Sequence, residues 1–446
     1  MLQLYPTVFQ EGGPELNQML YDQQARSEGR VPLPPLGAVE GPDNAFPGAK
    51  AMPRLMKILV PCSTLDFSYR LGCTPSWWQL LKAFHEMGHE IIATPYLGDP
   101  IDSLWWRTYP NPCRTESILY NRYLDGKKKR GKLSGRKESS TSLLNRFAEH
   151  YVQPRWEAHT RAILDKERDI DAVLFMNVPI NHIKGIASTI REEYGIPVAY
   201  LEGDMPTILP QYAADRGFKF NYYSEADLSE FDFFFTNSRG VIPDLKRMGA
   251  RSVYPIYYAV DPALFMPLEV PKDVDVSYFG YGSEYREEWM TKMISTPSRR
   301  MPRSSFSVGG RGFQVDLGSA RMRGDLSYSA FRRFCCASRI CLNITRKTHT
   351  AVAGSSTARP FELAGFGACM VSQPYNGIDE WFEIGREIEV VADTEDAIET
   401  YEWLLDDPEE RLRRGERARE RVCRDHTFHQ RADAIYQQLS KGAAGG

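Results

Sequence analysis

Three groups of residues in this 446-residue sequence, and one histidine beside them, have the types and spacing to do chemistry. The densest group lies between Cys341 and Glu383. There Arg346, Lys347 and His349 precede a turn at Gly354-Ser355-Ser356, and Arg359 and Glu362 follow it. Cations gathered where a glycine–serine turn enters a helix suit a phosphate. The first N–H groups of a helix lack partners, and the positive end of its dipole faces the same way. Glu362, just inside that helix, is placed to accept hydrogen bonds from vicinal hydroxyls such as those of a ribose. A second group is Gly280-Tyr281-Gly282 with Arg286 at the opening of the next helix; glycines there allow backbone to approach a phosphate, although turn geometry alone also uses them. The third, Glu202-Gly203-Asp204, sets two carboxylates around a glycine at a strand tip, suited to holding hydroxyls or taking a proton. His182, after Asn177 and Pro179, is a candidate contact or base at another tip. Together the residues describe a pocket for a nucleotide or nucleotide sugar. Bland readings compete: an i,i+3 ion pair between Arg359 and Glu362, a solvated turn at Arg346 and Lys347, and a structural histidine at 182.

The elements that must carry these residues follow from the apolar pattern. Ile58 to Val60 reads as a short buried strand, Ser76 to Met87 as a helix with Trp77, Leu80, Leu81 and Phe84 on one face, and Glu90 to Thr94 as the next strand. Further strands are predicted at Ala172 to Met176, Val198 to Leu201, Phe231 to Thr236 and Ser252 to Ile256, with helices between them. A long helical stretch from Ser142 carries a predicted kink at Pro154. A second series starts at Val274 to Phe279 and continues through Ser305 to Val308, Ile340 to Ile344, Ala368 to Ser372 and Glu389 to Ala392. Asp379 and Glu380 are expected to cap a helix at Trp381. Asp407-Pro408-Glu409-Glu410 is an N-cap with Pro at the first helical position, and a last helix spans Gln430 to Leu439. The fold class is α/β, two doubly wound parallel sheets. The expected division is an irregular extension over 1–53, an N-terminal domain over 54–268 with an insertion near 98–140, a C-terminal domain over 269–425, and a final helix over 426–446 returning toward the first domain.

Composition narrows the functional classes. A formal charge of −3 gives no global attraction to nucleic acid or anionic lipid. The basic run Lys127 to Lys137 reads as a solvated insertion rather than a polyanion site. No apolar run is long enough to span a membrane and the N-terminus lacks a signal pattern, so a cytoplasmic protein is expected. The 8 cysteines form no zinc-type cluster and read as reduced, mostly buried thiols.

The segments FFFTNSRGVIPDLKRMGARSVYPIYYAVDPALFMP, DVSYFGYGSEYREEW, and CLNIT followed by RPFELAGFGACMVSQPYNGIDEWFEIGREIEVV resemble glycosyltransferases of the GT-B fold. The resemblance is to the glycosyl transferases group 1 superfamily and, within it, the CgeB-like (spore maturation protein) branch. It implies two Rossmann-like domains facing a cleft, the first holding the acceptor and the second the nucleotide-sugar donor. Glu362 matches the glutamate that holds the nucleotide ribose. Its partner in the family's E-x7-E pattern falls on Gly354, leaving the usual sugar-contacting carboxylate unfilled. The diphosphate cations are not at the usual spacing; Arg286, Arg346, Lys347 and Arg359 are the candidates.

The implied reaction moves a sugar from a UDP- or GDP-linked donor to an acceptor hydroxyl, retaining configuration. It uses no metal and no cofactor beyond the nucleotide-sugar co-substrate. The candidate catalytic residues are Asp204, Glu202 and His182. The candidate donor-binding residues are Glu362, Arg359, Arg346, Lys347, Gly280, Gly282, Arg286, Ser355, Ser356 and His349. The partners are the donor and an acceptor glycan, protein or small molecule. A nucleotide-sugar epimerase on the same fold and a non-catalytic nucleotide- or glycan-binding module are the alternatives.

Overall fold

The computed structural model describes residues 54–66, 75–116, 148–213, 223, 226–282 and 286–444. The extension 1–53 and the basic run Lys127 to Lys137 lie outside the described residues. The account below concerns the compact unit Arg54–Gly446.

Two parallel sheets are built from the apolar runs read in the sequence. The first contains β1 (Lys57–Thr64), β2 (Glu90–Leu97), β3 (Arg107–Thr108), β4 (Ala172–Met176), β5 (Val198–Glu202), β6 (Phe233–Thr236) and β7 (Val253–Pro255), in the order β3-β2-β1-β4-β5-β6-β7. The second contains β8 (Val274–Tyr281), β9 (Phe306–Arg311), β10 (Arg321–Gly324), β11 (Ser338–Asn343), β12 (Met370–Ser372) and β13 (Ile388–Val390), in the order β10-β9-β8-β11-β12-β13. Burial on both faces explains why the central strands are largely apolar. Along β4, Val173 and Phe175 enter one core while Ala172, Leu174 and Met176 enter the other.

Strand order fixes where a ligand can sit. In the first sheet the chain winds outward in both directions from β1 and β4, and in the second from β8 and β11. A crevice opens beyond the C-terminal ends of strands at such a switch point, because the flanking connections leave in opposite directions. Thr64 and Asn177 mark that crevice in the first sheet, Tyr281 and Ile344 in the second.

The helix Phe428–Ala444 begins two residues earlier than its apolar pattern suggests and packs on the first sheet's side. Its Phe428, Ile435 and Leu439 share a core with Ile58, Leu80 and Phe84. Asp407 caps the helix Pro408–Asp425 by accepting from the Glu410 N–H at 2.9 Å.

Pro154 stands where the helical stretch changes its winding, a π-helical turn over Ala148–Val152 leading directly into the helix Gln153–Lys166. The expectation of a helix at Trp381 is corrected. No helix starts at Trp381, for Asp379 and Glu380 lie in a single 3-10 turn, Ile378–Glu380, and the Glu380 carboxylate reaches Arg239 instead. Edge strands β3 and β10 are additions to the sequence reading.

Candidate active site

The two halves are stitched together by backbone. Residues 237–240, after β6, run antiparallel to 353–356, with the N–H groups of Arg239, Gly240 and Ser356 donating to the carbonyls of Gly354, Ala353 and Asn237 at 3.0, 2.8 and 2.9 Å. Buried side chains complete the seam. Asn237 donates to the Ser356 carbonyl at 2.8 Å and to the Met205 carbonyl at 3.1 Å, and accepts from the Met205 N–H at 2.9 Å. The Ser238 and Ser355 hydroxyls bond each other, and Tyr375 donates to the Ser355 carbonyl. The Ser356 hydroxyl donates to the Asn237 carbonyl at 3.0 Å and accepts from the Tyr258 N–H at 2.9 Å. Ser355 and Ser356, offered by the sequence as phosphate ligands, are fully buried here and engaged across the seam.

On the second sheet's side lies a cavity of about 180 Å³ at the ends of β8 and β11. Its wall includes Gly280, Arg286, Arg346, His349 and Arg359, five of the donor-binding candidates. Arg286 and His349 are almost wholly buried. The Arg359 guanidinium stacks over the rings of Phe331 and Phe279, 4.5 and 5.1 Å from their centroids, and pairs with Glu362 at 2.8 Å. The i,i+3 pair is therefore real, and it holds Arg359 against an aromatic floor while the side chain still faces the cavity.

On the first sheet's side a larger cavity, about 460 Å³, opens at the ends of β1, β4 and β5 and the start of the helix Ser76–Glu86. Glu202, Asp204 and Glu362 are in its wall, with Ser63, Trp77 and Asn177. Glu202 is buried; the Tyr223 hydroxyl donates to it at 3.1 Å, and the Asp204 N–H at 3.1 Å. Burial, and next the charge of Asp204, push its carboxyl up to about 7, so it exchanges a proton near neutrality. Asp204 is more exposed and pairs with Arg346 of the other half at 2.7 Å. The two cavities share Asp204, Tyr258, Arg346 and Ala358.

The remaining candidates fall elsewhere. His182 contacts neither cavity: its Nδ1 faces the Tyr96 hydroxyl, and burial pushes its pKa down to about 4, leaving a neutral ring at pH 7. Lys347 is exposed and stands outside both cavity walls. Gly282 is a packing glycine, for a Cβ there would come within 2.1 Å of the Phe313 ring. Gly354 lies in the seam at φ +57, outside both cavity walls. Sequence reasoning missed Tyr258, which lines both cavities and donates to the Gly203 carbonyl at 2.9 Å. Its tyrosine type and its place beside the seam carried no pattern that could single it out.

Comparison with known proteins agrees with this geometry. Residues 286–437 match the model of a family described as glycosyl transferase-like. Sucrose-phosphate synthase from Thermosynechococcus elongatus shares the fold at a TM-score of 0.58 and 12% identity, over 87% of this chain and 100% of that one. A glycosyltransferase from Rickettsia africae ESF-5 gives 0.54 at 11% identity, over 86% and 99%. HepE from Anabaena, solved with UDP-glucose, gives 0.53 at 12% identity, over 86% and 100%. No curated protein sequence matches the chain. The class that fold and site define is thus a GT-B protein, two Rossmann-like domains about a cleft. Within it, residues 286–437 are similar to the glycosyl transferase-like family.

Proposed function

We propose that this protein transfers a sugar from a UDP- or GDP-linked donor to an acceptor hydroxyl, as a member of the CgeB-like branch. The observation that carries the reading is the pairing of an arginine-walled cavity at the switch point of one sheet with a carboxylate-walled cavity at the switch point of the other. A uridine donor is supported by the shared fold of HepE, which was solved in complex with UDP-glucose.

In this reading the diphosphate lies against Arg286, Arg346 and Arg359. The bond between the anomeric carbon and the phosphate oxygen breaks with its electron pair leaving on the diphosphate. Negative charge grows there in the transition state, so fixed guanidinium groups lower the barrier more than they tighten substrate. The acceptor oxygen attacks from the same face, its proton passes to the departing phosphate, and anomeric configuration is retained. Asp204 accepts a hydrogen bond from the acceptor hydroxyl and orients it. With three arginines meeting the developing charge, the reaction proceeds without a metal. The test is calorimetric titration with nucleoside diphosphates in EDTA: one base class binds, and Arg359→Ala weakens it about tenfold or more, the loss of a charged hydrogen bond. Binding by no nucleotide overturns the proposal.

A further inference from the structure

The wall between the two cavities is itself an ion pair. Asp204 stands at the end of β5 and Arg346 just after β11, 142 residues apart in sequence and 2.7 Å apart in space. With Tyr258 and Ala358 they are the residues common to both cavities. A sugar passing from a donor in one cavity to an acceptor in the other must cross this wall. The wall also occupies both groups that the reaction needs: the guanidinium that would meet the diphosphate and the carboxylate that would meet the acceptor.

We infer that the Asp204–Arg346 pair is a donor-operated partition: a nucleoside diphosphate draws Arg346 off Asp204, which opens the wall and frees the carboxylate for the acceptor. This rests on the donor site proposed above. A diphosphate carries more charge than one carboxylate and offers a guanidinium two-pronged geometry, so it competes well for Arg346. The Asp204 side chain is about half exposed, so solvent screens the pair and it breaks at small cost. Tyr258, held to the Gly203 carbonyl and the Ser356 hydroxyl, keeps the frame around the moving arginine fixed. The consequence is an order of binding, donor before acceptor, set by one side chain.

The experiment is a double-mutant cycle read by calorimetry with UDP and GDP, whichever binds the unmodified chain. Asp204→Asn removes the competitor and is expected to tighten that nucleotide about three- to fivefold, while Arg346→Ala weakens it. The decisive arm is the double variant, which should bind no better than Arg346→Ala alone. If Asp204→Asn tightens binding equally in the Arg346→Ala background, the effect is general removal of negative charge and the partition is refuted. No tightening in the single variant, with its melting temperature unchanged, refutes it also. Failure of both nucleotides to bind the unmodified chain overturns the donor site itself, an outcome distinct from either.

Discussion

Replacing Gly354 by Glu would restore the family's carboxylate on paper, and the structure predicts that it damages the protein instead. Gly354 has φ +57, where a residue with a Cβ is strained by about 1–2 kcal/mol. The added Cβ would stand 3.0 and 3.1 Å from the Glu380 carboxylate oxygens and 3.2 Å from the Arg239 Cβ. Glu380 is already engaged, with Arg239 at 2.5 Å and the Tyr257 hydroxyl at 2.7 Å, so a second carboxylate meets like charge worth about 0.5–1 kcal/mol. The backbone cannot swing away, since the Gly354 N–H donates to Asn376 at 3.1 Å and its carbonyl accepts from Arg239 at 3.0 Å. Gly354→Ala should therefore lose about 1–2 kcal/mol and Gly354→Glu about 2–3. Urea unfolding at low and high salt separates the two parts, because only the charge component is screened. Nucleotide affinity should not improve. A Gly354→Glu variant as stable as the parent, or one that turns over donor faster, would show that the seam is not where this residue acts.

Two further expectations concern buried polar groups. Glu202 has a folded pKa of about 7 against an ordinary 4.5, so the folded state holds its proton more tightly. Its contribution is full below about pH 4.5 and is lost as pH rises through 7, a difference of at most about 3 kcal/mol. Glu202→Gln should flatten the decline in stability between those pH values and leave the variant the more stable at pH 8; an unchanged pH profile refutes the assignment. Asn237→Ala leaves the Met205 N–H and the Met205 and Ser356 carbonyls without its amide, costing about 2–4 kcal/mol by chemical unfolding. A loss below about 1 kcal/mol would mean that the seam rests on backbone pairing alone.

What the sequence disclosed and what it hid divide along physical lines. Buried parallel strands such as AVLFM in β4 must be apolar on both faces, and that pattern is readable in one dimension. Edge strands escape it: β10 is RMRG, mostly exposed, and belongs to the sheet through backbone pairing with β9. Arg286, Arg346 and Arg359 were visible because cations at strand ends and helix starts have a chemical logic that needs no partner. Their pairings were not, since the distance from Arg346 to Asp204 depends on how two halves close. Ser355 and Ser356 have the type and position of phosphate ligands, but the strand-like pairing of 353–356 with 237–240 turns both hydroxyls into the seam. His182 stands just past a strand tip as expected, yet burial against Tyr96 keeps its ring neutral.

The central claim is that the arginine-walled cavity holds a nucleoside diphosphate, and calorimetry in EDTA tests it most directly. The account predicts that UDP or GDP binds with one site per chain, that uridine or guanosine alone binds far more weakly, and that Arg359→Ala reduces the affinity at least about tenfold while the protein stays folded. Equal affinity for nucleoside and diphosphate, or full affinity in Arg359→Ala, would contradict it.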